Sequence, residues 1–149
     1  MTDPELIPCE PTPEEVMYLE DRLDEFNSGV TGIVGGQWLA FFSRDESGRI
    51  IAGISGGTWG DCCEIRQFWV EESRRHQGLG TRLFSAAERE AHRRGCRQIL
   101  LMTFSFQAPD FYERIGFEVL ATMVDYPRGH RNLLMRKWLD ADPAHRAFR

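Results

Sequence analysis

Apolar residues recur three to four positions apart near the start of the chain, the period of one face of an α-helix. Thr12 and Pro13, followed by two glutamates, are typical of a helix N-terminus: a capping hydroxyl, a proline at the first position, and acids beside the positive end of the dipole. Gly29, which can turn left-handed, indicates the other end. The pattern predicts a helix over residues 14–27, after a proline-rich extended lead-in over residues 1–12.

Three short apolar runs follow, each bounded by turn-forming residues as β-strands are. They span residues 38–42, 50–54 and 62–70, and only polar or glycine-rich stretches separate them. Such connections favour hairpins, so we expect a meander of three antiparallel strands.

The period then returns to that of a helix. Residues 80–94 carry a stripe of leucine and alanine, and Gly95 stands where a C-cap belongs. The next run, residues 98–104, is apolar throughout, which is typical of a strand covered on both faces. Strand, helix and strand in succession predict a right-handed crossover that joins two parallel strands.

The last third of the chain predicts a short helix over residues 108–115 and two more strands, residues 117–125 and 133–139. The tail, residues 140–149, is polar and expected to be loose. We expect one domain over residues 1–149, because a chain of this length can bury roughly 70% of its unfolded surface without a disulfide or metal.

The net charge of the chain indicates which classes of partner are unfavourable. The chain has 18 Lys and Arg against 23 Asp and Glu, a net charge of −5. That sign disfavours nucleic acid, whose affinity for proteins comes from neutralised phosphates. Lys137 is the single lysine, which makes Schiff-base chemistry remote. No apolar run approaches the ~20 residues of a membrane span and the N-terminus shows no export pattern, so we expect a cytoplasmic protein with no membrane partner.

The four cysteines form no Cys-x-x-Cys pair. Cys62 and Cys63 are adjacent, and on a strand their side chains would point to opposite faces, so they are poorly placed to share a metal. We expect reduced thiols and no metal site.

The segment before the second helix places Gly78 and Gly80 two apart, after a basic loop and between a strand and a helix N-terminus. The first turn of a helix has unpaired N–H groups, and glycine lets backbone approach a phosphate closely. The segment therefore predicts a pyrophosphate cradle, although a tight strand-to-helix loop would use the same glycines. A Walker loop would need a lysine, and a dinucleotide fingerprint would need a third glycine or alanine where Leu83 stands.

Two blocks of the sequence resemble the GNAT superfamily of acyl-CoA-dependent N-acyltransferases. Residues 75–80, Arg-His-Gln-Gly-Leu-Gly, match its acyl-CoA loop, Arg/Gln-x-x-Gly-x-Gly/Ala, and residues 111–117 match its Phe-Tyr helix followed by Gly-Phe. Glu72 and Gln107 depart from the pattern, standing where many members have proline and asparagine.

The resemblance implies a fold of the α/β (α+β) class. Its central sheet is mixed but mostly antiparallel, with six to seven strands and about four flanking helices. A parallel pair of strands splays apart around the CoA site.

The resemblance also implies a CoA-binding site. Backbone from the loop would hold the pyrophosphate, strand backbone would pair with the pantetheine arm, and one amide side chain would add a hydrogen bond. These residues are Arg75, His76, Gln77, Gly78, Leu79, Gly80 and Thr81 for the loop, Phe68 and Val70 for the strand, and Gln107 for the side chain.

By the same resemblance Tyr112 is the general acid that protonates the departing thiolate, and a packing aromatic is the alternative. Glu64 is the expected general base, with Asp61 and His130 as runners-up, and an ordinary surface glutamate is an equally open interpretation. Trp59, Asp61 and His130 are the expected substrate contacts.

The function so implied is N-acetylation: direct attack of a small primary amine or a peptide amine on acetyl-CoA, the only cofactor expected. A non-catalytic acyl-CoA sensor with the same fold is the alternative, and a binder of another nucleotide a third. Exposed sheet edges favour a homodimer.

Overall fold

The structure is a computed structural model that describes residues 6–139. These residues form two compact units, the first ending at Val34 and the second beginning at Gly35. Residues 6–12 contain no helix or strand. The predicted tail at 140–149 and the first five residues lie outside the described part.

The first unit contains helix α1, Pro13–Thr31. It begins with a capping box, in which Thr12 Oγ1 accepts from the Glu15 N–H at 3.2 Å and Glu15 Oε2 accepts from the Thr12 N–H at 2.8 Å. The predicted end at residue 27 is wrong. The helix runs on through Gly29, because Gly32 is the residue that turns left-handed, with φ of 72°, and donates to Ser28 O.

The second unit is a six-stranded sheet with two helices. Its strands are β1 Gln37–Arg44, β2 Ile50–Trp59, β3 Cys62–Val70, β4 Gln98–Phe104, β5 Glu118–Val124 and β6 Arg131–Trp138. Its helices are α2 Leu79–Arg93 and α3 Pro109–Arg114, with a short 3₁₀ turn, Glu72–Arg74, before α2.

The order β1-β2-β3-β4-β6-β5 confirms the predicted mixed sheet, since among the described strands only β3 and β4 pair in parallel. Three α-helices are described instead of about four. Five residues, three of them glycine, separate α1 from β1, which is too short a stretch for another helix.

The core lies between the sheet and α2. Leu83, Phe84, Ala87 and Ala91 of α2 are buried against the strand residues that share one face of the sheet. We call this the α2 face; its members are Cys63, Ile65, Phe68, Val70, Ile99, Leu101, Thr103, Leu133 and Met135. The alternate residues of the same strands form the opposite face, which carries Glu64, Met102, Phe104 and Asn132.

The parallel strands separate part of the way along. Their ladder runs from Cys62 and Gln98 to Ile65 and Leu101, yet β3 and β4 continue to Val70 and Phe104. The separation coincides with a bulge, because β2 pairs Ser55 with Gln67 but Gly56 with Ile65, which leaves Arg66 as an extra residue. A bulge bends its strand, so β3 turns away from β4 where the ladder stops.

Gly56 permits this bulge. A Cβ atom on Gly56 would lie 1.9 Å from the backbone oxygen of Glu64, which is a collision with backbone. On the next residue, Gly57, a Cβ would meet only Gln37 O, at 3.4 Å.

We therefore expect Gly56→Ala to lower the free energy of unfolding by about 3 kcal/mol, the upper part of the range for overpacking. Gly57→Ala, the matched control on the same strand, should cost less than about 1 kcal/mol. Urea unfolding of both variants checks this, and equal losses would show that the contact at Gly56 does not constrain the bulge.

Candidate active site

The loop between β3 and α2 presents an unbroken run of hydrogen-bond donors. None of the six backbone N–H groups from His76 to Thr81 donates a hydrogen bond within residues 6–139, and the first helical bond is from Arg82 N to Gly78 O. His76 and Gly78 both have positive φ, 59° and 76°, which turns this backbone into a concave loop ahead of the helix. Donors of this kind at a helix N-terminus favour anions, and the pyrophosphate cradle stays a prediction for this loop.

Side chains from outside the loop hold it in place. Arg49, in the turn after β1, donates to Glu71 Oε1 at 2.7 Å, and this hydrogen bond holds the pKa of the Glu71 carboxyl below its usual range. Within the loop, Gln77 Nε2 donates to Ser73 O at 3.1 Å and Arg75 Nε donates to Val70 O at 3.0 Å. The loop is thus fixed without any bond to the six free N–H groups.

Sequence reasoning missed Arg49 and Glu71. Twenty-two residues separate them, and nothing local marks either as more than a surface charge. Their pairing depends on β2 and β3 lying side by side, so no signal in the sequence could have found it.

The separated half of β3 offers backbone toward the gap. Glu71 donates its N–H to Ile51 O of β2 at 2.9 Å, so the alternate residues Trp69 and Gln67 also face β2. The backbone N–H and C=O groups of Phe68 and Val70 therefore point away from β2, into the gap between the separated parts of β3 and β4. The backbone groups predicted to pair with the pantetheine arm therefore border this gap. One of them, Val70 O, already accepts a hydrogen bond from Arg75.

Tyr112 lies against the same segment of β3. Its residue is 7% exposed, and its ring centroid is 6.2 Å from that of Phe68 and 5.7 Å from that of Phe84. Phe111 stacks on Phe68 at 5.5 Å, and Gly80 closes the group, because a Cβ there would meet Phe68 Cζ at 3.0 Å. The fold thus brings the predicted acid to the loop and to the strand backbone.

Burial raises the pKa of Tyr112 to about 12. The phenol therefore stays protonated at neutral pH. It donates no hydrogen bond to any described residue, so its proton is available to a ligand.

Glu64 lies on the opposite face, beside the end of the ladder. Its neighbours Cys63 and Ile65 point to the α2 face, so they do not enclose its carboxylate. The side chain is 60% exposed and pairs with Arg66 at 3.6 Å. Glu64 is therefore accessible from the face of the sheet that Tyr112 does not occupy.

Gln107 closes the turn after β4. Its Oε1 accepts from the Phe104 N–H at 2.9 Å and from the Thr103 hydroxyl at 3.2 Å. Both hydrogen bonds use the side-chain oxygen of Gln107, so Nε2 is the atom of this amide that can still donate to a ligand.

The three predicted substrate contacts are not brought together. Trp59 and Asp61 flank the tight turn between β2 and β3, where Asp61 O accepts from Arg97 N at the start of β4. His130 lies in the turn before β6, and the pairing of Phe104 with Asn132 puts it beyond the other end of β4. About 20 Å of β4 separates these positions, at ~3.3 Å per residue.

All four cysteines lie in the part of the chain that the structure describes. Cys9, Cys62, Cys63 and Cys96 are free thiols, and burial raises the pKa of Cys63 to about 12. Within the described part of the chain, no three His, Cys, Asp or Glu residues group as metal ligands do, and none of the helices is long and apolar enough to cross a membrane.

Comparison with known proteins gives a consistent result. A family model described as the acetyltransferase (GNAT) family matches residues 5–117. A curated relative, the blasticidin-S acetyltransferase of Streptomyces morookaense, is 35% identical over 101 residues, which cover 67% of this chain and 74% of the relative.

Solved structures agree with this match. The crystal structure of an acetyltransferase from Bacillus cereus is 30% identical, with a TM-score of 0.74, and the match covers 89% of this chain and 97% of that one. An aminoglycoside 6′-N-acetyltransferase complexed with coenzyme A has the same fold, with a TM-score of 0.64 at 18% identity over 86% of this chain and 87% of that one.

The raised pKa of Tyr112 gives a test of the site's geometry. A phenol with a folded pKa of about 12 keeps its proton where an unfolded tyrosine, with a pKa near 10, loses it. Between pH 10 and pH 12 the folded state therefore binds more protons, and stability falls as pH rises. In an absorbance titration at tyrosinate wavelengths, we expect Tyr112→Phe to remove a step near pH 12. In denaturant the two chains should differ near pH 10, and a difference between the two folded chains near pH 10 instead of pH 12 would contradict the buried placement of Tyr112.

Proposed function

Because the chain belongs to the acetyltransferase (GNAT) family, we propose that it moves the acetyl group of acetyl-CoA to the primary amine of a small molecule. One observation carries the proposal. The free N–H groups of the loop, the unpaired backbone of β3 and the phenol of Tyr112 form one continuous path along the gap between β3 and β4. The name of the blasticidin-S acetyltransferase, 35% identical, supports a small-molecule acceptor over a peptide.

The residues present fit acetyl-CoA. A pyrophosphate needs several donors and positive charge, and the loop supplies six unpaired N–H groups, the Thr81 hydroxyl and the exposed guanidinium groups of Arg74 and Arg82. The pantetheine amides need alternating donors and acceptors in an extended row, which Phe68 and the Val70 N–H offer in the manner of a strand edge. Gln107 Nε2 is the side-chain donor on the β4 side.

When bound, acetyl-CoA supplies a thioester whose acyl carbon an amine can attack. Tyr112 then holds the proton that the departing sulfur needs. Its pKa of about 12 keeps that proton in place before the reaction, and the apolar rings of Phe68 and Phe84 exclude water around it. Tyr112 is the general acid of the proposal.

Glu64 is the proposed general base. An amine is protonated at neutral pH and must lose a proton before it attacks. Glu64 is the exposed carboxylate next to the point where the ladder ends, so it can take that proton directly or through a water. Asp61 fits the role less well, since it lies at the end of β3 farthest from the loop.

The function is tested by incubating the protein with acetyl-CoA and a panel of amines while following thiol release. The panel contains blasticidin S, an aminoglycoside and a peptide with a free amino terminus. We expect turnover with a small molecule at a rate at least tenfold above the peptide.

Three results would contradict the proposal. Turnover confined to the peptide would overturn the acceptor class. Binding of acetyl-CoA without thiol release across the panel would identify a non-catalytic acyl-CoA-binding module. A larger thermal shift with ATP or NAD than with CoA would identify a different nucleotide ligand.

The role of Tyr112 gives a sharper kinetic prediction. Tyr112→Phe keeps the ring packing but removes the proton, so kcat should fall about 100-fold, the usual scale of a lost general acid, while KM for acetyl-CoA changes less than about threefold. Tyr18→Phe in α1 is the matched control and should leave kcat unchanged. An equal rise in KM with an unaltered kcat would make Tyr112 a packing residue instead.

A further inference from the structure

Two buried side-chain polar atoms of β6, Arg136 Nε and Asn132 Oδ1, have no hydrogen-bond partner among the described residues, and the second of them is an acceptor. Asn132 of β6 is 5% exposed, and its Oδ1 accepts no hydrogen bond from any described residue. A buried carbonyl oxygen without a partner costs on the order of 1–3 kcal/mol, so such atoms are rare and call for a reason. The sequence gives no hint of it, since an asparagine before an apolar strand is ordinary.

The position of Asn132 relates this atom to the proposed active site. In the antiparallel ladders Asn132 is paired with Phe104 on one side and Met123 on the other. Residues paired across antiparallel strands point to the same face, and Phe104 lies on the opposite face together with Glu64. The unpartnered oxygen is thus on the face that carries the proposed base, one strand away from the gap between β3 and β4.

A group of rings stands beside it, where β4 ends. Phe104 and Phe106 stack at 5.3 Å and 4°, Tyr126 meets the edge of Phe104 at 5.6 Å, and His130 meets Phe106 at 4.9 Å. We call these four residues the aromatic wall. Phe106 and Tyr126 are 55% and 54% exposed.

The two loops that carry the aromatic wall are tied together. Ser105 N donates to Arg131 O at 2.9 Å, and Arg131 N donates to Ser105 Oγ at 3.1 Å. The rings are therefore held in fixed positions, and two of them, Phe106 and Tyr126, remain about half exposed.

We infer that this wall and Asn132 bind the amine acceptor, and that the acceptor is a planar ring bearing a cationic amine. The inference rests on the proposed function and names its substrate class. The aromatic faces attract both a flat ring and a positive charge. The Asn132 oxygen can only be satisfied by a donor, and an ammonium or amino N–H is one.

This placement also puts the general acid and the acceptor site on opposite faces of the sheet. Tyr112 is on the α2 face, against Phe84, whereas the wall, Asn132 and Glu64 are on the opposite face. The amine enters from the side where its proton can be removed. The departing sulfur meets its proton on the other side, so the acid and base do not neutralise each other.

The first test is Asn132→Leu, which keeps the volume but removes the oxygen. The probes are tyramine, a planar ring with a primary amine, and cadaverine, a primary amine without a ring. For tyramine we expect KM to rise at least tenfold, with KM for acetyl-CoA within twofold and the melting temperature unchanged or higher. A lower melting temperature with unchanged KM for tyramine would make Asn132 a structural residue and overturn the inference.

The second test separates the ring from the amine. Phe106→Ala should raise KM for tyramine about tenfold and leave cadaverine within twofold, because cadaverine has no ring to stack. Phe42→Ala is the matched control, since Phe42 is 53% exposed on the β1 edge of the sheet, and it should change neither value. Equal effects on the two amines, or no effect, would overturn the inference.

A binding measurement keeps this result apart from failure of the proposed function. Calorimetric titration of tyramine into the CoA-loaded protein reports affinity whether or not acetyl transfer occurs. Binding that Asn132→Leu and Phe106→Ala weaken at least tenfold, without thiol release, would sustain the acceptor site and refute the transferase. Thiol release from other amines, with tyramine bound no more tightly than cadaverine, would do the reverse.

Discussion

The separation of β3 from β4 is the constraint on which the rest of the molecule depends. Paired strands leave no backbone free, and a sheet interior is a poor place for a ligand. Here the ladder stops at Ile65 and Leu101 while both strands run on, so the middle of the sheet has a gap with hydrogen-bonding edges. The loop at the end of β3 and the helix after β4 then lie on either side of that gap. The proposed cofactor and acceptor sites are both consequences of it.

Electrostatics at the loop are local and do not follow the net charge. The chain carries −5 overall, yet the loop ahead of α2 presents six unpaired N–H groups and several arginines. Glu71 contributes an acid to this region but not a free one, since Arg49 neutralises it and uses it as an anchor. An acidic protein can thus offer an anion site, because backbone dipoles and a few ordered side chains act over a shorter range than the protein's total charge.

The sequence predicted the elements and the mixed sheet well, and the contacts that depend on strand register poorly. Short apolar runs and helical period located β1 to β4 and α2, and the glycines of the loop indicated the segment for which an anion site is proposed. The end of α1 was placed too early because Gly29 and Gly32 look alike to a local rule, and only the second adopts the left-handed turn. Asp61 and His130 looked like neighbours of one site because distance along a sheet depends on register, which a single strand does not encode. The unpartnered oxygen of Asn132 could not be predicted for the same reason, since the burial of a side chain depends on residues far away in the chain.

The bulge at Arg66 has a consequence for how such a chain can vary in length. Ile65 and Phe68 share the α2 face although three positions separate them, so the extra residue is absorbed without turning any side chain over. Removing one residue at this point would restore strict alternation, with Ile65 and Phe68 two positions apart and the core side chains still inward. The straightened strand could then pair with β4 along its full length. The inserted residue therefore accompanies the gap between β3 and β4 while the core on the α2 face keeps its side chains, so the geometry of the gap is tied to the length of β3 as well as to its composition.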